Sequence, residues 1–242
     1  MMKIGFIGTG NMGGALASAA ARSGEVEVLL ANRTKAKAEA LAERIGAVVS
    51  SNEIIAREAD HIFLGVKPQM MAGMLEGIAP ALKARRSEPL LISMAAGLTI
   101  QRIRELTGGD YPVIRIMPNM PAAVGEGVIF YACSENCEKA QLEAFLRYMA
   151  PAGKLFPLEE KLQDAGSAVA GCGPAFAAMF LEAKAARGSG AVRRADDARH
   201  GQDGARDEPA PGCAQRQRLL ARRLDDPGRA HARRARHARG GV

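Results

Sequence analysis

Gly8, Gly10 and Gly13 stand at the G-x-G-x-x-G spacing, directly after the apolar run KIGFIG and before an Ala-rich stretch. Short glycine patterns arise by chance, so alone the spacing says little. Between a strand and a helix it has a physical reading. Gly8 permits a tight turn, Gly10 lets a phosphate approach the backbone, and Gly13 lets helix and strand pack closely. The helix N-terminus then turns free N–H groups and a positive dipole end toward the anion. The next apolar run ends in Asn32-Arg33-Thr34-Lys35. A carboxylate there would bind a ribose 2′-hydroxyl; this chain has none, and the Arg33 guanidinium can grip a 2′-phosphate. The two motifs point to a dinucleotide, and to NADPH over NADH. The alternative is a solvated Arg33 in a turn that Thr34 caps.

Such a site needs strands ending side by side. KIGFIG (3–8), EVLLAN (27–32), HIFLGV (61–66), PLLISMA (89–95) and VIRIMP (113–118) are short apolar runs, and AVVS (47–50) is a weaker one. Between the first of these lie MGGALASAAARSG and KAKAEALAERIG, both ending in Gly, and then SNEIIAREA. Alternating strands and helices predict an α/β fold, a Rossmann-type doubly wound parallel sheet over residues 1–163. From about Ala165 the chain becomes Gly-punctuated and runs into an apolar helix, the expected start of an α-helical domain over 164–183.

Residues 184–242 follow other rules. They hold 15 Lys and Arg against 7 Asp and Glu, which leaves 18 basic and 19 acidic side chains for residues 1–183. The formal charge of +7 therefore belongs to the tail, and the high isoelectric point is poor evidence for a nucleic-acid enzyme. The tail's large aliphatics are Val192, Leu219, Leu220, Leu224 and Val242. So little apolar surface cannot offset the entropy of ordering the backbone, and disorder is expected. There is no targeting pattern at the start, and no run reaches the roughly 18 apolar residues of a membrane span. Cys133, Cys137, Cys172 and Cys213 fit no zinc spacing and are too few for a disulfide scaffold, so a cytoplasmic chain without a metal site is expected. Cys133 and Cys137 read as residues at the start of a helix or on the surface.

Four further stretches make the pattern specific: GVKPQ (65–69), SMAAGLTI (93–100), RIMPNMPAAVGEG (115–127) and AVAGCGPAFAAMFLEA (168–183). In order and spacing, with the glycine loop, they closely resemble the pyrroline-5-carboxylate reductases, which make proline; the resemblance covers residues 3–183. Taken singly, Pro68, Pro118 and Pro121 could be strand terminators and Lys67 a solvated turn residue. The resemblance implies that Ile7, Gly8, Thr9, Gly10, Asn11, Met12, Gly13, Asn32, Arg33 and Thr34 hold phosphates and ribose, with Asn52 near the adenosine. Val66, Lys67, Pro68, Gln69, Ala95, Ala96 and Gly97 would hold the nicotinamide side. Asn119, Gly171, Cys172, Gly173 and Pro174 would face the substrate, 1-pyrroline-5-carboxylate. Cys172 replaces the family's frequent Ser and, lacking a His or basic neighbour in sequence, does not read as a nucleophile. The implied reaction is hydride transfer to a cyclic C=N bond, which a protonated imine makes possible without a dedicated acid–base pair. No catalytic residue is identified in this chain.

In the resembled family a helical second domain forms the dimer and carries an S-P-G-G-[ST]-T loop whose hydroxyl residue helps bind the imine. This chain lacks that loop, so impaired activity and a lost dimer are expected. Codons permitted for residues 214–240, read one base later, can spell C-S-P-G-G-S-T in the expected place, which suggests a shifted reading frame beginning near residues 184–187. Two alternatives stay open. One is another Rossmann reductase of the β-hydroxyacid dehydrogenase type. The other is a non-catalytic nucleotide-binding protein whose basic arm (Arg222, Arg223, Arg229, Arg233, Arg234, Arg236, Arg239) meets nucleic acid without specificity.

Overall fold

The computed structural model describes residues 1–197, with side chains placed through residue 185. The expected basic arm, the shifted-frame segment beyond residue 197, Cys213 and the presumed site of the missing loop all lie outside the described residues. Residues 1–183 form one compact unit. Six parallel strands build its sheet: β1 (Met2–Ile7), β2 (Val26–Ala31), β3 (Val48–Val49), β4 (His61–Leu64), β5 (Leu90–Ser93) and β6 (Val113–Met117). Two more strands, β7 (Gly127–Cys133) and β8 (Gly153–Pro157), complete the order β3-β2-β1-β4-β5-β6-β7-β8. The sequence reading did not include β7 and β8, and β7 runs antiparallel to β6. A parallel return needs a crossover of about a dozen residues or more. The link between β6 and β7 holds only a short 3₁₀ turn, Met120–Val124.

Helices α1 (Asn11–Arg22), α2 (Lys35–Ile45), α3 (Asn52–Glu58), α4 (Pro68–Lys83), α5 (Ile100–Thr107) and α6 (Lys139–Met149) cover the two faces. Strand residues alternate between them. Ile4, Phe6, Val28, Leu30, Phe63 and Ile92 meet α1, α2 and α6, while Leu29, Ile62, Leu64 and Leu91 meet α3, α4 and α5. That two-sided burial explains why the strands read as unbroken apolar runs. Phe6 and Phe63 stack at 4.2 Å on neighbouring strands.

Helix α7 (Gln163–Gly166) leads through a π-helical turn, Ser167–Gly171, into α8 (Gly173–Asp197). Residues 184–197, the first part of the expected tail, continue α8. Ala and Arg are strong helix formers, so the backbone keeps its helix after the apolar pattern has stopped. The helical run Glu160–Ala185 also reaches a mean hydropathy of 1.2, long and apolar enough by composition to cross a membrane, which the sequence reading did not expect. Ala supplies much of that average, and a membrane reading finds no second support.

Candidate dinucleotide site

The parallel strands end on one edge, and the residues expected to hold the dinucleotide collect there. Gly65 N–H donates to the Ile7 carbonyl and Gly8 N–H to that of Ala31, both at 2.8 Å, so the first turn lies between the ends of β2 and β4. This is where strand order reverses direction, the switch point at which such sheets bind ligands. Gly8 has φ +99°, and a Cβ there would stand 2.7 Å from the Gly65 backbone. A Cβ on Gly13 would collide with the Gly8 carbonyl oxygen. Gly10 differs: it is exposed, and among the described residues nothing lies within 4 Å of the place its Cβ would take. Two glycines let the loop close, and the third leaves its outer surface bare.

The same loop holds unused polarity. Gly14 N–H donates to Gly10 at 2.8 Å as α1 begins, and the preceding N–H groups of the first turn have no helical acceptor. No acidic residue occupies that turn. The Thr9 side chain is buried, yet its Oγ1 has no hydrogen-bond partner among the described residues. A buried hydroxyl without a partner is costly. Beside free N–H groups and an open Gly10, it fits a phosphate oxygen as the missing acceptor.

Asn32 holds this loop to the end of β2. Its Oδ1 accepts from Thr9 N–H at 3.2 Å, and its Nδ2 donates to the Thr34 carbonyl at 3.0 Å. Thr34 does sit at the N-cap of α2, but its side chain makes no capping bond. Lys35 pairs with Glu39 at 3.3 Å, while Arg33 is exposed and makes no hydrogen bond or ion pair among the described residues. Ser51 rather than Asn52 caps α3, accepting from Ile54 N–H at 3.1 Å, which leaves Asn52 exposed as the first helical residue.

At the nicotinamide side Val66 is half-buried, and Lys67, Pro68 and Gln69 are exposed where α4 starts, with Pro68 in its first turn. Ala95 is buried, and Ala96 and Gly97 are exposed, Gly97 at φ +76° with open space around it. Of the residues expected at the substrate, Asn119 is buried: its Nδ2 donates to the Ala170 carbonyl at 3.0 Å and its Oδ1 accepts from Val128 N–H at 2.9 Å. Asn119 thus fixes the turn before Gly171 and Cys172, more a positioning role than a free binding group. Cys172 and Pro174 are exposed, and the Cys172 carbonyl accepts from Ala175 and Phe176 N–H as α8 opens. An open cleft of about 1030 Å³ runs from Thr9 and Gly10 along α1 to Arg22 and Arg44, with Met120 on its wall. It shares the glycine loop but includes neither Arg33 nor the ends of β4 and β5, so the strand ends define the site and this hollow does not.

Sequence reasoning passed over Arg115. It lies buried in β6, Nη2 at 2.8 Å from Asp164 Oδ1 and Nη1 at 3.4 Å from Glu160 Oε1. Glu160 also accepts from Ile100 N–H at 2.7 Å, and Gln163 Nε2 donates to the Arg115 carbonyl at 3.1 Å. This cluster clamps the segment before Asn119's acceptor to the sheet. The available signal was one Arg inside the otherwise apolar VIRIM.

Residues 3–97 match a family described as NADP oxidoreductase, coenzyme F420-dependent. A pyrroline-5-carboxylate reductase of Corynebacterium melassecola is 32% identical over 186 residues, 76% of this chain and 69% of the relative. That of Methanosarcina acetivorans is 33% identical over 187 residues, 76% of this chain and 68% of the relative. The crystal structure of the Plasmodium falciparum pyrroline carboxylate reductase with NADP bound is 31% identical, with a TM-score of 0.65 over 75% of this chain and 67% of that one. A Coxiella burnetii pyrroline-5-carboxylate reductase, 23% identical, shares the fold with a TM-score of 0.69 over 91% of both chains. The aligned part spans about two thirds of the curated relatives' own length. Sequence likeness and the geometry of the strand ends agree, and the chain belongs to the pyrroline-5-carboxylate reductase family.

Proposed function

We propose that residues 1–183 bind NADPH across the carboxyl ends of β2, β1, β4 and β5, as the first part of a reductase that converts 1-pyrroline-5-carboxylate to L-proline. The buried, unpartnered Thr9 hydroxyl beside the open backbone of Gly10 carries this reading. The Plasmodium falciparum relative has NADP bound, and the residues of this chain suit the same ligand. Thr9, Gly10 and the first turn of α1 receive the pyrophosphate; Arg33 receives the 2′-phosphate. Ala95 to Gly97 leave flat space for the nicotinamide, and Lys67 with Pro68 forms its rim. When bound, the reduced nicotinamide supplies the hydride. This chain's part is orientation: Asn119 and the Arg115 cluster hold the turn at Gly171 to Pro174 for the substrate. Because the family's S-P-G-G-[ST]-T loop is not in this sequence, turnover is expected to be low while NADPH binding persists. We place the protein in the cytoplasm as a small-molecule enzyme, without a metal or a specific nucleic-acid partner.

Fluorescence titration tests the binding half. NADPH is expected to bind more tightly than NADH, and Arg33→Ala should weaken NADPH about 10- to 100-fold with little change for NADH, the loss of a charge-assisted pair. Equal affinities in the unmodified chain would refute the role of Arg33. Proline formation at a rate typical of metabolic enzymes would refute the impaired turnover.

A further inference from the structure

The loop expected to face the nicotinamide, residues 94–99, joins β5 to α5 and is weakly tied within itself. Leu98 N–H meets the Ala95 carbonyl and Ala95 N–H the Ser93 hydroxyl, both at 3.4 Å, and Gly97 turns at φ +76°. A stronger attachment lies at its far end. There Ile100 N–H, the first of α5, donates to Glu160 Oε1 at 2.7 Å, a short bond of the charge-assisted kind. α5 has no acidic residue in its own first turn, so the negative charge that favours a helix N-terminus comes from 60 residues further along the chain. Ile100 and Ala95 are buried in one core, so fixing the first restrains the second.

Glu160 is also where the approach to the substrate turn begins. It opens the 3₁₀ turn Glu160–Leu162, which leads through α7 and the π-helical turn to Gly171. The same Oε1 accepts from Arg115 Nη1 at 3.4 Å, Arg115 Nη2 holds Asp164, and Gln163 donates to the Arg115 carbonyl, so this segment is pinned to β6. One half-buried carboxylate thus joins the base of the nicotinamide loop to the base of the substrate turn. We propose that Glu160 is a positioning residue for hydride transfer: it holds the nicotinamide loop in a fixed relation to the turn at Gly171 to Pro174. The inference rests on the dinucleotide reading above. Glu160 acts through Ile100 and orders the loop before the ligand arrives, so less conformational entropy is lost when the nicotinamide binds. The phosphates bind at Thr9 to Asn11 and Arg33, on other strand ends, and gain nothing from it.

Calorimetric titration of the full chain with NADPH and with 2′-phospho-ADP-ribose, which lacks the nicotinamide, separates this role from general support of the fold. Glu160→Ala should weaken NADPH about tenfold, the order of one charge-assisted hydrogen bond, and leave the fragment within about twofold. Glu160→Gln keeps an acceptor for Ile100 N–H and should bind NADPH within about threefold of the native chain. Hydrogen exchange in Glu160→Ala should quicken at both ends of the link, over residues 98–103 and 160–171. Equal weakening of both ligands, no weakening of NADPH, a Gln variant as poor as the Ala variant, or quickening at one end alone would each overturn the proposal. With both ligands bound by the native chain, any of these results removes the role of Glu160 and leaves the dinucleotide site standing. A native chain that binds neither ligand removes both readings.

Discussion

At the glycine loop, single methyl groups separate folding from binding. Gly13→Ala drives a Cβ into the Gly8 carbonyl, a backbone atom that cannot move without opening the turn. It should cost about 2–4 kcal/mol, in the range of overpacking and buried strain, and abolish dinucleotide binding. Gly10→Ala meets nothing among the described residues and sits at φ −68°, so urea unfolding should shift by less than about 0.5 kcal/mol while NADPH titration loses most of its signal. If Gly10→Ala binds NADPH normally, the loop is not a phosphate cradle. His61 belongs to this scale too, though not to the site. It lies at the start of β4, away from the ligand edge, with Nδ1 2.9 Å from the Tyr148 hydroxyl. Burial lowers its pKa to about 4, against a small opposing effect of Asp60. The fold therefore keeps His61 neutral. As pH falls below about 6.5 the unfolded chain takes up a proton that the folded chain refuses until about 4, so this contribution is full above 6.5 and lost across that window. The loss should approach about 3 kcal/mol, read as the difference in pH dependence of urea midpoints between the native chain and His61→Gln.

Elements are joined to one another by a few polar side chains. Arg115 on β6 draws in Glu160 and Asp164, and through Glu160 it reaches the first turn of α5. Asn119 ties the end of β6 to β7 and to the turn ahead of α8. Arg115→Met keeps the volume and removes the charge. With Asp164 already facing water, its cost should be about 2–3 kcal/mol, below that of breaking a fully buried pair. Hydrogen exchange should quicken over residues 160–171 and stay slow in β1 and β4; uniform quickening would mean that Arg115 supports the whole sheet and has no special hold on this segment.

For the molecule as a whole, α8 leaves apolar surface open. Phe176, Met179 and Leu181 are each 60% exposed or more, a patch that water disfavours. Concentration-dependent association is expected in sedimentation velocity, and Phe176→Glu with Met179→Glu should reduce it; association unchanged by both substitutions would place the contact elsewhere. The parallel half of the sheet was legible in the residues because strands buried on both faces must be apolar throughout, and the glycine loop because only glycine tolerates that turn and that close packing. β7 and β8 were not legible: VIFYAC and KLFP carry mixed burial, and the direction of β7 follows from the length of the link before it. Arg33 could be singled out from its position after β2, but that it has no partner among the described residues while Lys35 turns to Glu39 required coordinates. The Arg115 cluster and the positioning role of Asn119 arise from contacts between separate elements. Local sequence determined which segments become strands, helices and turns, through periodicity and the sterics of single residues. Tertiary structure alone decided which polar side chains find partners, because a hydrogen bond across the fold depends on where two distant segments come to rest.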